Sequence, residues 1–268
     1  MTTFLFWNLN KKPLERLVAD LAELHEVDVL ILAECKIPNE VMKRSLKWRD
    51  DLEPTHSESD KIIIYTRFSP DFLQPVFDAP RLTIRRLKLP EREEVLLASV
   101  HLPDKLHWKD SSQTLECVEL ARRILSVEEQ VGHRRTVLVG DVNMNPFEDG
   151  VVAANGFNAV MTRLQAKRQR RTVQDRKYPY FYNPMWGHFG DGSGGPPGTY
   201  YYWSSQHVAY FWHMFDQVLI RPELLSIFKN EELKILSAVG ERSLVTKGGL
   251  PDRSVGSDHL PILFSLDL

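Results

Sequence analysis

At 268 residues and 43% hydrophobic content the chain is long enough to bury a large core, and layered α/β folds of this length often stay undivided, so we expect one domain over 1–268. Cys35 and Cys117 have no zinc-type spacing, no apolar run approaches membrane-spanning length, and Phe4–Trp7 is too short for a secretory signal. These features argue against a disulfide scaffold and a transmembrane segment and suit a reducing, cytoplasmic setting. The formal charge of −2 is uneven: residues 163–177 carry seven basic side chains and one acid, which leaves the remaining body near about −8.

In chain order, Thr3–Leu9 reads as a strand ending in Trp7-Asn8-Leu9-Asn10, with Asn8 and Asn10 on one face because alternate residues of an extended chain share a side. Pro13 suits a helix start, and Leu14, Leu17, Val18, Leu21 and Leu24 recur at helical spacing through His25. Asp28–Ala33 is a near-continuous apolar strand that runs straight into Glu34. A carboxylate in that position must face a cleft, bind a metal or be paired. Val41–Trp48 reads as a short helix, and Lys61–Thr66, Arg81–Leu89 and Glu94–His101 as strands of a meander. His25, His56, His107, His133, His188 and His207 read as packed or surface residues, whereas His101 stands at a strand end.

Ser111–Val131 is a predicted helix with Ser/Thr capping options and an apolar face. It leads to Val137-Leu138-Val139-Gly140-Asp141-Val142-Asn143-Met144-Asn145-Pro146, a buried strand whose end presents Asp141, Asn143 and Asn145 at alternate positions before Pro146 stops the extension. A carboxylate and a carboxamide aimed at one point suit a hydrated divalent cation or a water awaiting deprotonation; an Asx-rich turn has the same composition. Phe147–Ala154 reads as one short helix.

Two unusual segments follow. Residues 163–177 form the basic strip, read either as a solvated loop or as a phosphate-backbone contact. Tyr178–Phe215 then holds 14 of the 27 aromatic residues and seven of the eight tyrosines, which either pack an insertion onto the body or line a cleft and stack on a flat group. The glycine run 191–198 lacks the Gly-Lys-Ser/Thr ending of a phosphate loop and is interrupted by two prolines. Asp216 opens a strand through Ile220, Leu233–Val239 reads as another, and 248–257 is a loop leading to Ser257-Asp258-His259-Leu260-Pro261 and the apolar strand Ile262–Leu266. Three consecutive residues cannot form a hydrolase triad, so Ser257-Asp258-His259 is not one.

Taken together, Trp7-Asn8, Leu32-Ala33-Glu34-Cys35-Lys36, Gly140-Asp141-Val142-Asn143, Asp216-Gln217-Val218-Leu219 and Ser257-Asp258-His259-Leu260-Pro261 resemble the ordered signatures of the endonuclease/exonuclease/phosphatase superfamily, Mg²⁺-dependent phosphoesterases of the DNase I type. The resemblance spans residues 7–261 and implies a four-layer α/β/β/α sandwich, two packed mixed sheets flanked by helices, with the site at one rim. It implies Glu34 as principal Mg²⁺ ligand (Mn²⁺ being an alternative), with Asn8, Asn10 or Asp258 as further ligands. Asp141 would orient and deprotonate water, Asn143 and Asn8 would fix water and phosphate, and His259, held by Asp216, would stabilise the phosphoryl oxygens, with His101 assisting. The chain departs from abasic-site members in having Asn10 in place of an acid and His101 in place of a tyrosine.

Three functions fit this pattern. A nuclease on DNA or RNA would use Lys36, the strip through Arg168, Arg170 and Arg171, and stacking by Tyr201 and Trp203. A phosphatase or phosphodiesterase on a small nucleotide, phospholipid or inositol head group would use the aromatics as a lid. A non-catalytic binding module is disfavoured by the full set of polar residues.

Overall fold

The computed structural model describes residues 1–46, 52–55 and 59–268. Two large mixed sheets lie face to face. The first has the order Lys234–Ile235, Ile262–Leu266, Thr2–Asn8, Val29–Ala33, Ile62–Thr66, Glu53–Pro54. The second runs Leu73–Ala79, Leu82–Leu87, Val95–His101, Thr136–Asp141, Asp216–Ile220, Phe181–Tyr182, Ala159–Val160. Parallel pairing joins Thr2–Asn8 to Val29–Ala33 and Val95–His101 to Thr136–Asp141.

Period-two alternation explains the layering. In the second sheet Leu97, Val137, Val139, Val218 and Ile220 share one core with Phe4 and Phe6 of the first sheet. Their neighbours Leu96, Ala98, Val100, Leu138 and Leu219 form a separate core with Cys117, Leu120, Ala121, Ile124 and Val127 of the helix Asp110–Val131. On the other side, helices Glu15–Leu24 and Asn39–Leu46 bury Leu17, Val18, Leu21, Met42 and Leu46 in the first core. The result is the expected four layers.

The long helix begins without a side-chain cap: its N-cap is Lys109, and Ser111, Ser112 and Thr114 sit inside it. A missing cap costs about 1 kcal/mol, whereas each fully buried leucine or isoleucine contributes roughly 1.5–3 kcal/mol, so the buried face decides. Gly132 ends the helix in the left-handed region at φ 80, donating its N–H to the Glu128 carbonyl. A buried ion pair ties this helix to the second sheet: Arg221 donates from Nε to Glu128 Oε1 at 2.8 Å, and Thr136 donates to the same carboxylate.

Some sequence expectations shift. The Lys61–Thr66, Arg81–Leu89 and Glu94–His101 strands do not form one meander, because Ile62–Thr66 belongs to the first sheet and the other two to the second. An unexpected strand, Leu73–Ala79, starts the second sheet at its edge; Pro75 breaks its pattern and its register shifts between Pro75 and Phe77. Proline lacks the ladder donor and is tolerated on edges and at bulges. Leu233–Val239 divides into Lys234–Ile235 on the first sheet and Ala238–Val239 paired with Arg242–Ser243. Phe147–Ala154 is helical only over Asp149–Val152. The end of the expected Val41–Trp48 helix and His56 lie outside the described residues. Among the described residues no helix is long and apolar enough to cross a membrane.

Candidate active site

Sheet register delivers the signature residues to one rim. His101 stands opposite Asp141, and Asp141 opposite Asp216, so three neighbouring strands of the second sheet end side by side. In the first sheet Asn8 stands opposite Ala33, with Glu34 next, and Phe6 opposite Ile262 brings the Asp258-His259 segment to the same end. The backbone turns sharply there: Asn10, Lys11, Glu34 and Asn143 all have positive φ. Such conformations are costly for non-glycine residues and concentrate at functional sites. At Gly140, φ 154, an added Cβ would come 1.9 Å from the Val100 carbonyl oxygen. Only glycine lets the strands bearing His101 and Asp141 close.

The side chains form one network. Asn8 Nδ2 donates to Asp141 Oδ2 at 2.9 Å, and the Asn10 N–H fixes the Asn8 amide by donating to its Oδ1. The Asn143 N–H donates to Asp141 Oδ1 at 2.9 Å, while Asn143 Nδ2 is tied to the Leu102 carbonyl. His259 Nδ1 lies 2.8 Å from Asp216 Oδ2, and its Nε2 faces Asp141 Oδ2 at 4.0 Å. Trp7, fully buried, anchors this segment by donating from Nε1 to the His259 carbonyl. His101 Nε2 lies 3.3 Å from Glu34 Oε1 and 3.8 Å from Asp141 Oδ2. His101 thus sits directly against the Glu34 carboxylate.

Electrostatics place Asp141, Glu34 and His259 in distinct states. Burial acts to lower the His259 pKa, but the Asp216 and Asp141 carboxylates outweigh it and hold the imidazole up to about 10. Burial raises Asp141 above the ordinary carboxylate range, with Asp216 adding to the shift and His259 and His101 opposing it. The His101 hydrogen bond, against the opposing effect of burial, holds Glu34 down to about 2, with Lys11 helping at 3.5 Å. A buried carboxyl of raised basicity beside an imidazolium, with an ionised carboxylate nearby, is equipped for proton transfer and charge stabilisation.

Asp141, Asp216 and His259 place one potential ligand atom each within 4.8 Å of one another. A cation there would compete with the proton that His259 holds between two carboxylates. Glu34 and Asp258 instead face the cleft, beside Asn10, and offer oxygen donors without cysteine, a set that fits a hard divalent ion.

The rim forms one wall of a cleft of about 760 Å³. The hairpin of Tyr200–Tyr201 and Trp212–His213 with its connecting loop continues the lining from His259, which bridges to Tyr200. Tyr200 and Tyr202 line the cleft, whereas the expected Tyr201 and Trp203 do not; Tyr201 packs edge-on against Trp212, and Trp203 is 66% exposed. The stretch alternates, so a one-residue error in phase exchanges its faces. That ambiguity of phase hides Tyr200 in the sequence, although its ring lies 4.8 Å from that of His259. Arg253, 3.8 Å from Asp258 Oδ2, and Lys11 and Lys105 had no strand-end signal to mark them.

The basic strip is not at the rim. It forms a short helix, Arg163–Ala166, and a hairpin, Arg170–Val173 with Arg176–Pro179. Tyr182 pairs with Ile220, the end of its strand away from Asp216, and Arg221 donates to the Pro179 and Tyr180 carbonyls. The hairpin therefore hangs from the opposite end of the second sheet. Arg171 is committed to the Val152 carbonyl and Arg163 to that of Phe228, and neither Arg168 nor Arg170 lines the cleft. Lys36 is exposed and also off the cleft.

No protein-family model and no curated protein matches the chain. Solved structures do. A 3′ phosphatase from Neisseria bound to a product DNA hairpin superposes with TM-score 0.59 at 14% identity, covering 100% of both chains. An AP endonuclease from Archaeoglobus fulgidus gives 0.57 at 14% identity, again over 100% of both. An endonuclease/exonuclease/phosphatase family protein from Leptotrichia buccalis gives 0.56 at 12% identity over 100% of both. The chain thus has the DNase I-like fold of the endonuclease/exonuclease/phosphatase superfamily, the group its ordered motifs resemble.

Proposed function

We propose that the protein is a metal-dependent phosphodiesterase that hydrolyses DNA or RNA by in-line attack of water. The carrying observation is the convergence at one rim of buried Asp141, the His259–Asp216 pair and cleft-facing Glu34. Glu34 would hold Mg²⁺ or Mn²⁺ with Asp258, Asn10 or Asn8, and the ion when bound would neutralise charge on the phosphoryl oxygens.

The remaining work falls to the chain's own groups. Asp141 accepts the proton of the attacking water as the water oxygen bonds to phosphorus and the opposite P–O bond breaks, the leaving sugar oxygen taking a proton from solvent; the Asn8 and Asn143 hydrogen bonds fix the two Asp141 oxygens in place. His259, charged and held at Nδ1 by Asp216, presents Nε2–H to a non-bridging oxygen, where negative charge grows in the transition state. His101 keeps Glu34 ionised and oriented. Tyr200 and Tyr202 offer rings on which a base can stack. The reading also draws support from similarly folded structures described as an endonuclease and as a phosphatase bound to DNA.

One observation favours a second reading, a small phosphorylated substrate such as a nucleotide or lipid head group. The cleft lining holds Glu34, Asp104, Asp110, Glu148 and Asp258 against Lys11 and Lys105, and the basic hairpin lies elsewhere. A long polyanion finds no cationic track there. Labelled single- and double-stranded DNA, RNA and a bis-aryl phosphodiester, each incubated with protein and Mg²⁺, separate the two. We expect cleavage of nucleic acid, and equal cleavage of short oligonucleotides when Arg168, Arg170 and Arg171 are replaced by alanine. Turnover of the small diester alone would move the assignment to the second reading.

A further inference from the structure

The third member of the alternating run, Asn145, has no part in the mechanism above, yet it is fully buried. Its Oδ1 accepts from the Met214 N–H at 3.0 Å, and its Nδ2 donates to Glu148 Oε1 at 2.9 Å. The amide orientation is therefore fixed by two partners of opposite kind. The same Nδ2 lies 3.1 Å from His213 Nδ1, which can only accept from it. A neutral imidazole that accepts at Nδ1 carries its proton on Nε2. Burial and the nearby Lys105 hold His213 down to about 4, so it is neutral at physiological pH. Among the described residues Nε2 has no hydrogen-bond partner, and His213 lines the cleft. Glu148 is itself braced by Lys105, which completes a rail of Lys105, Glu148, Asn145 and His213.

The rail ends within a row of rings that starts at the phosphate rim. From His259 the centroids step 4.8 Å to Tyr200, 5.3 Å to Phe215, 4.6 Å to His213 and 6.2 Å to Tyr210. Tyr210 is 56% exposed, so the row opens to solvent at its far end. A purely structural aromatic cluster needs neither a buried rail that selects one tautomer nor a donor left unpaired in a cleft.

We propose that this wall is a subsite for a nucleobase: a flat ring that packs against Tyr200, His213 and Tyr210, with an acceptor atom that receives the His213 Nε2–H, joined through its sugar to the phosphate at the His259 rim. The assignment rests on the phosphodiesterase reading of that rim and names the group beside the phosphate. It fits the acid-rich lining, because one neutral donor and stacked rings hold a base without a cationic track.

The test is a ratio of affinities by titration calorimetry in Mg²⁺, with uridine monophosphate and ribose phosphate as probes, on the wild type and on His213→Phe. The phenylalanine keeps a ring in the wall and removes the donor. We expect the wild type to prefer the nucleotide by about tenfold or more, and the variant to lose most of that preference, as befits one hydrogen bond in a sheltered site. Equal affinities in the wild type, no binding of either probe, or an unchanged ratio in His213→Phe would each overturn the subsite. Failure of the phosphodiesterase reading is separate: it is loss of all Mg²⁺-dependent diester hydrolysis, whatever the binding ratio.

Discussion

Asp141→Asn is expected to lower kcat on the order of a hundredfold or more while the protein stays folded. The substitution keeps the size of the side chain and the acceptor for the Asn143 N–H. It removes the group that takes the proton of the attacking water. A hundredfold loss corresponds to about 2.7 kcal/mol of barrier, within the range of one general base. Circular dichroism and an unfolding curve on the same preparation establish that the fold survives. A rate near wild type would show that the rim has another base and that the roles assigned here are wrong.

His259→Gln is expected to cost a similar factor, on the order of a hundredfold, because Nε2–H aims at the oxygen that gains charge. Glutamine is preferable to alanine because Asp216 is fully buried and His259 is the partner of its Oδ2. Removing that partner outright would leave a buried carboxylate uncompensated. Asp216→Asn should do less, since it loosens the histidine without removing it, and the double variant should fall short of the sum. The pH dependence has a definite sign. His259 titrates near 6.5 in the unfolded chain and at about 10 in the folded protein. Its contribution to stability is therefore complete below about 6.5 and is lost as pH rises toward about 10. Thermal midpoints measured across that interval should decline in the wild type and less steeply in Asp216→Asn. Parallel curves would contradict the pairing.

Much of this site was legible because its residues sit at strand ends, where a buried apolar run stops at a polar group. Glu34 after Val29–Ala33, Asp141 after Gly140 and Asp216 before Val218 each announce themselves in this way. Their order along the chain points to the fold, and sheet register brings them to one rim. The failures have physical causes too. Tyr201 and Trp203 stand in a run of uniform composition, so nothing in the sequence sets its phase; the hairpin pairing of Tyr200 with His213 does. Arg168, Arg170 and Arg171 fall between two site residues in sequence, but Tyr182 pairs with Ile220 and carries that excursion to the far end of the sheet. Proximity in sequence carried no information about which end. His213 carries no distinguishing signal in the sequence; its contact with Asn145 marks it as oriented.

The proposed function stands on Glu34 and its neighbours holding a divalent cation required for phosphodiester hydrolysis. It is tested most directly by following hydrolysis of a bis-aryl phosphodiester by the wild type before chelation, in excess chelator, and after addition of Mg²⁺ or Mn²⁺, with Glu34→Gln in parallel. Chelation should abolish turnover, either ion should restore it in the wild type, and Glu34→Gln should need far more metal for any recovery. Undiminished hydrolysis in excess chelator would contradict it.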